Sequence, residues 1–280
     1  MNNGLSGIKN IIWALAIVIA LLALLVGLIF TVATRSYGDA PDGTLVLSSG
    51  SQAIDSSGSG LDADPYSPIV GGGGTLKELP STQDGGLEYV FGMTYLCTSS
   101  FSGINDYTST VGGGANAIMW ADSGSGIPAS AAADTEVLLN DGSLVTPSKA
   151  AAIYQPKRLV IYIGTDGLGT ASQESFTAGY KKLISSVQAA SSSTTIICCS
   201  LASVSSSYPG VDGVTSAKIA EANSWIKQIC MDTGVYYADL ASLLNGSDGY
   251  ISDEFVTPDG KTISYAGIGK IVEYFRYHCV

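Results

Sequence analysis

The chain has 280 residues, enough for an anchor, a linker and one α/β domain. With 13 basic and 24 acidic side chains its net charge is −11, which argues against nucleic acid as a partner, because phosphate binding needs a basic surface. Only 13% of the residues are charged, and Gly and Ser are abundant, a composition that suits an exported protein.

The segment Ile11 to Ala33 has no charged residue and is almost wholly apolar. Its 23 residues would span about 34 Å as a helix at about 1.5 Å per residue, enough for a hydrocarbon core of about 30 Å. A cleaved signal peptide has a shorter apolar stretch, about 7–15 residues, ending in a small-x-small site; Val32-Ala33-Thr34 is a poor version of one. Residues 1–35 are therefore expected to be an uncleaved, single-pass anchor in the cell membrane. Lys9 and Arg35 flank it almost evenly, so orientation rests on the acidic, Gly/Ser-rich remainder, which favours an extracytoplasmic C-terminal domain. Residues 36–86 hold eleven Gly and nine Ser, with Gly71-Gly72-Gly73-Gly74 at their heart. Such a chain buries too little apolar surface to offset its ordering entropy and reads as a flexible acidic linker.

From residue 87 to 280 the pattern becomes alternating strands and helices. Leu87 to Phe91 is a first strand candidate and Ala117 to Trp120 a second. Pro147 to Gln155 reads as a helix, with Thr146 as its cap and Pro147 at the first position. Arg158 to Ile163 is a continuous β-rich run, as expected for a strand covered on both faces. Gln173 to Ala190 is helical, because Phe176, Tyr180, Leu183, Ile184 and Val187 recur at three- and four-residue spacing. Thr194 to Cys199 is the next buried strand. Ser216 to Thr233 is a helix capped by Thr215 and stopped by Gly234. Val235 to Ala238 is a fifth strand, and Tyr265 to Tyr277 a final helix. The alternation implies a flavodoxin-like, three-layer α/β/α sandwich on a parallel five-stranded sheet, preceded by the transmembrane helix. In such open sheets a site lies at the carboxyl ends of the strands.

No repeat, phosphate loop or organic-cofactor signature is visible, and no cofactor is expected. Five cysteines, Cys97, Cys198, Cys199, Cys230 and Cys279, fit no zinc spacing, and no metal is expected. Cys198, Cys199 and Cys230 lie in apolar or helical runs and read as buried small hydrophobes; a disulfide involving Cys97 or Cys279 stays open.

The motifs after the strands resemble those of the SGNH (GDSL-type) hydrolase family over about residues 87–277. The stretch "YIGTDGLG" is similar to its Gly-x-Asn-Asp block. "KIAEANSWIKQICMDTGVYYADLASLL" resembles its late helix–strand unit, and "TPDGKTISYAGIGKIVEYF" its Asp-x-x-His block and last helix. The resemblance implies an esterase or acyl hydrolase scaffold with a nucleophilic Ser after the first strand, a Gly and an Asn in the oxyanion hole, and an Asp–His pair. Carried onto this chain, Gly92 takes the first-block Gly, Met93 replaces the following Asp, and Thr94 takes the nucleophile position. Gly124 takes the second-block Gly, Asp166 the oxyanion Asn and Gly167 the residue after it. Asp259 keeps the acid, and Thr262 replaces the His.

Each replacement has a chemical meaning. A Thr nucleophile needs a base within hydrogen-bond reach, and Thr262 takes no proton near neutral pH. Asp259 alone is a weak base, with a reference pKa of about 3.9 unless burial raises it. An ionised Asp166 would repel an oxyanion, where Asn would donate to it. His278, the chain's one histidine, falls about 13 residues along the last helix, roughly 20 Å from the closing block. Cys97 is expected to be a packed thiol and Asp253 and Glu254 a solvated loop pair. The resemblance implies a catalytically impaired, extracytoplasmic binding or scaffolding domain for a cell-envelope glycan or an acylated ligand. Two alternatives stay open: a working carbohydrate or lipid esterase using Thr94 with a desolvated Asp259, and an unrelated flavodoxin-like surface protein. Oligomeric state is not read from the sequence.

Overall fold

The computed structural model describes residues 74–112, 117–210 and 212–280. The expected membrane anchor and most of the expected linker lie outside the described residues. Among the described residues no helix is long and apolar enough to cross a membrane.

The first element is a two-residue strand, β1 (Lys77–Glu78), paired in parallel with β8 (Tyr236–Ala238). It falls within the stretch expected as linker, and the neighbouring Leu79 is buried. Leu87 to Phe91, expected as the first strand, is instead a short helix, α1 (Gly86–Phe91). The Asp84 carboxylate accepts from the Gly86 amide at 2.8 Å, and Gly86 has a φ of +74°, a turn that starts a helix and that glycine adopts without strain. The true first strand of the central sheet is β2 (Thr94–Cys97), buried along its whole length.

The next elements are α2 (Gly103–Val111), β3 (Ile118–Asp122), β4 (Val137–Leu139), β5 (Leu144–Val145) and α3 (Pro147–Tyr154). They lead to β6 (Arg158–Tyr162), α4 (Gln173–Ala190), β7 (Thr195–Cys199) and α5 (Ser216–Thr233). After β8 come α6 (Leu240–Leu244) and α7 (Tyr265–Arg276). The sheet has eight strands in the order β1-β8-β7-β6-β2-β3-β4-β5. Its five central strands, β3, β2, β6, β7 and β8, run parallel, while β4 and β5 add an antiparallel edge. The parallel expectation therefore holds for the centre, and the sheet is larger than the five strands expected.

Right-handed crossovers explain the layers. From β2 the chain moves to β3 on one side; from β6 it moves to β7 and β8 on the other. Helices α4 and α5 therefore cover one face, and α2 and α7 the other. Strand residues alternate between faces. Tyr162 of β6 stacks on Phe101, which follows β2, with ring centres 4.6 Å apart. On the opposite face, Phe176 and Tyr180 of α4 pack together, and Trp225 of α5 meets Phe176 edge-on at 5.3 Å. Caps are placed as their residue types dictate. The Thr215 hydroxyl accepts from the Lys218 amide at 3.1 Å, and Gly234 ends α5 with a φ of +70°.

The order reverses direction at β2 and β6. This is the topological switch point, where an open α/β sheet leaves a crevice at its carboxyl edge.

Candidate active site at the carboxyl edge

The loop leaving β2 runs through a 3-10 turn, Ser99–Phe101. Thr98 and Ser100 are buried and their hydroxyls are 2.9 Å apart. The Thr98 amide donates to the Tyr162 carbonyl at 3.2 Å, and Phe101 is fully buried. Between these anchors Ser99 is exposed. Its carbonyl accepts from the Ser102 hydroxyl at 2.8 Å.

Three further loops lie at the same edge of the sheet. After β3, Asp122 accepts from the amides of Gly124 and Gly126, both at 2.8 Å. Gly124 has a φ of +105°, so glycine suits this position. After β6, Gly164 has a φ of +126°, and a side chain there would come within 2.9 Å of the Phe176 ring. Asp166 turns towards the β3 loop and accepts from the Ile127 amide at 2.8 Å. Before α7, the segment Thr257–Ile263 closes the group. The Ile263 amide donates to the Ser100 carbonyl at 3.0 Å, and the Ser205 amide donates to the Gly260 carbonyl at 2.8 Å.

Asp259 organises that closing segment. It accepts from the Thr257 hydroxyl at 2.7 Å, from the Lys261 and Thr262 amides at 2.9 Å each, and from the Thr262 hydroxyl at 2.6 Å. Partial burial works to raise its carboxyl, but these donors outweigh it and hold Asp259 well below the usual carboxylate range. The base role expected of a desolvated Asp259 would need its carboxyl raised, the opposite of the direction these donors favour. Thr262 spends its hydroxyl as a donor to Asp259. Lys261 is paired with Asp212 at 2.8 Å; burial lowers its ammonium, and the Asp212 carboxylate more than restores it.

The structure thus gathers Gly124, Asp166, Asp259 and Thr262 at the carboxyl edge. Thr94 does not join them. It is the first residue of β2, buried, and three residues from the strand's other end, about 10 Å at about 3.3 Å per residue. Thr94, expected at the nucleophile position, therefore stands away from the carboxyl-edge loops; the loop after β2 carries Ser99, Ser100 and Ser102, of which Ser99 and Ser102 are exposed. Gly92, expected as the first-block glycine, caps α1 at the amino edge, and Met93 is buried beside it. Sequence reasoning missed Ser99 because it placed the strand seven residues too early. The signal was present in the apolar run Met93 to Cys97 followed by Thr98-Ser99-Ser100.

The remaining candidates fall elsewhere. His278 lies at the far end of α7, its ring stacked on Tyr274 at 4.0 Å and its Nδ1 2.7 Å from the Tyr274 carbonyl. Asp253 and Glu254 are exposed in a 3-10 turn. Cys97 is buried at the end of β2, and burial, with a smaller contribution from Asp122, pushes its thiol up to about 12, so it is no nucleophile at neutral pH. All five cysteines are free thiols. A cavity of about 350 Å³ lies away from this edge, along α7 between Leu87, Tyr107, Gly269 and Arg276.

What the edge can do follows from its groups. It presents hydroxyls and carboxylates for hydrogen bonding. The chain's one histidine, His278, is not among its groups.

The GDSL-like Lipase/Acylhydrolase family profile matches residues 104–261. The match begins after the Ser99 turn and stops one residue before Thr262. No curated protein matches the sequence. Among solved structures, a carbohydrate esterase family 3 protein from Talaromyces cellulolyticus is 14% identical, with a TM-score of 0.47, covering 65% of this chain and 92% of its own. A GDSL-like lipase from Bacteroides thetaiotaomicron is 13% identical, with a TM-score of 0.45, covering 65% and 84%. A family two carbohydrate esterase from Clostridium thermocellum is 19% identical, with a TM-score of 0.44, covering 66% and 61%. The family match spans more than half of the chain, and the chain belongs to the GDSL-like lipase/acylhydrolase family.

Proposed function

We propose that this domain is a GDSL-type scaffold that binds a ligand at its carboxyl edge without hydrolysing it. One observation carries the reading: the residue three after Asp259 is Thr262, whose hydroxyl donates to Asp259 at 2.6 Å, where the family places an imidazole. A serine hydroxyl is a poor nucleophile without a positioned base, and loss of such a base costs factors of about 10³ or more. Asp166 adds to the loss, because a carboxylate beside a developing oxyanion repels it. The ligand class favoured is a cell-envelope glycan or an acylated molecule, as part of the same proposal. The uncharged stretch Ile11 to Ala33 supports a single membrane anchor, with the domain outside the membrane.

The test is turnover of p-nitrophenyl acetate by the full chain and by Ser99→Ala. Equal, background-level rates are expected. A rate well above buffer that drops in Ser99→Ala would mean a working esterase and end this reading.

A further inference from the structure

A second concave site lies along α7. Ser264 caps this helix just after the closing segment, its hydroxyl accepting from the Gly267 amide at 3.2 Å. The helix packs against both α1 and α2, and the groove of about 350 Å³ opens along it. That volume falls within the about 300–1,000 Å³ of small-ligand sites. Two tyrosines, Tyr107 and Tyr277, line the groove. The Tyr107 ring lies against the bare backbone of Gly269, where an added Cβ would come within 3.2 Å of it. Tyr265 extends the aromatic surface, its ring 4.7 Å from that of Tyr107 at a tilt of 41°. Tyr265 is 54% exposed and Tyr277 41%, so these rings are contact area available to a ligand.

The charged residues of the groove are paired. Lys270 lies 3.6 Å from Glu273. Arg276 donates through Nε to one Asp84 oxygen at 3.0 Å and through a terminal nitrogen to the other. Each cation is balanced by a carboxylate, so the groove offers no net charge to a phosphate or a basic peptide. The remaining N–H groups and oxygen lone pairs still serve as donors and acceptors. An acyl chain would strip water from these heads and return no hydrogen bonds. A neutral saccharide matches both halves, laying the C–H faces of its rings on the tyrosines and its hydroxyls on the paired heads. We propose that the groove between α7, α1 and α2 binds a neutral saccharide chain, at a site separate from the Ser99 edge.

The experiment titrates the full chain with cellotetraose, xylotetraose and chitotetraose in turn, by isothermal calorimetry. Saturable binding of at least one is expected, with a Kd of about 0.1–1 mM. Tyr277→Ala should weaken it at least about fivefold while leaving the thermal midpoint unchanged. If that variant does not fold, Tyr265→Ala serves the same purpose. Asp259→Asn, at the carboxyl edge, should leave the Kd within about twofold, so failure of this site and failure of the carboxyl-edge reading register separately. No saturable binding of any of the three sugars, binding unaffected by both tyrosine substitutions, or binding lost in Asp259→Asn would each overturn the proposal.

Discussion

The two edges of the sheet use their polar and aromatic groups differently. At the amino edge they serve packing. The Arg158 guanidinium lies 4.1 Å over the Tyr89 ring and donates to the Val280 carbonyl at 2.6 Å, while His278 stacks on Tyr274. At the carboxyl edge Ser99 and Asp259 are exposed and Asp166 and Thr262 half-buried, and the carboxylates of Asp166 and Asp259 accept from backbone amides of the loops. The chain's one imidazole is at the packing edge, and the Ser99 turn is at the other. Loop anchors and core packing hold the frame of such an edge whatever chemistry its side chains carry out.

The frame is where a substitution should cost most. Phe101→Ala removes the buried ring that stacks on Tyr162 and pins the Ser99 turn. It should destabilise the domain by about 3–5 kcal/mol, read from the urea midpoint. A loss below about 1 kcal/mol would mean that the turn is not anchored through the core and that the contrast between the edges is overstated.

A smaller effect separates the structural role of Asp259 from a catalytic one. Asp259→Asn keeps one acceptor oxygen but replaces the other, which receives the Thr262 hydroxyl. A loss of about 1–2 kcal/mol at pH 7 is expected. The sign with pH follows from the lowered carboxyl of Asp259. Its contribution is complete above the unfolded value of about 3.9 and fades as pH falls below it. The gap between the native chain and Asp259→Asn should therefore narrow below about pH 4 in denaturation curves taken across that range. A gap that stays constant through pH 3 would show that the carboxylate charge contributes nothing there.

The second half of the domain was legible in the sequence for physical reasons. Strands β6 and β7 are covered on both faces and read as apolar runs. Helices α4 and α5 show their stripes, and Thr215 and Gly234 mark the ends of α5. The turn Pro258-Asp259-Gly260 before an amphipathic helix likewise announced the closing segment. The first half was harder. Leu87 to Phe91 has the composition of a strand, yet the turn at Asp84 and Gly86 starts a helix there. Only four residues, Thr94 to Cys97, form the central strand, too few to show a period. That one displacement moved the first site loop from Thr98–Ser102 to Gly92–Thr94 and hid Ser99. The β4–β5 edge was missed as well, although Asn140-Asp141-Gly142-Ser143 between two apolar pairs is a hairpin signal.

If the carboxyl edge lacks only the groups that move protons and bind the oxyanion, as proposed, restoring those groups should create turnover. The double substitution Thr262→His with Asp166→Asn sets an imidazole beside Asp259 and an amide at the oxyanion position. Initial rates of p-nitrophenyl acetate hydrolysis should rise at least about tenfold over the native chain, and the gain should vanish when Ser99→Ala is added. Native-chain turnover that already depends on Ser99 and matches the double variant would contradict the claim.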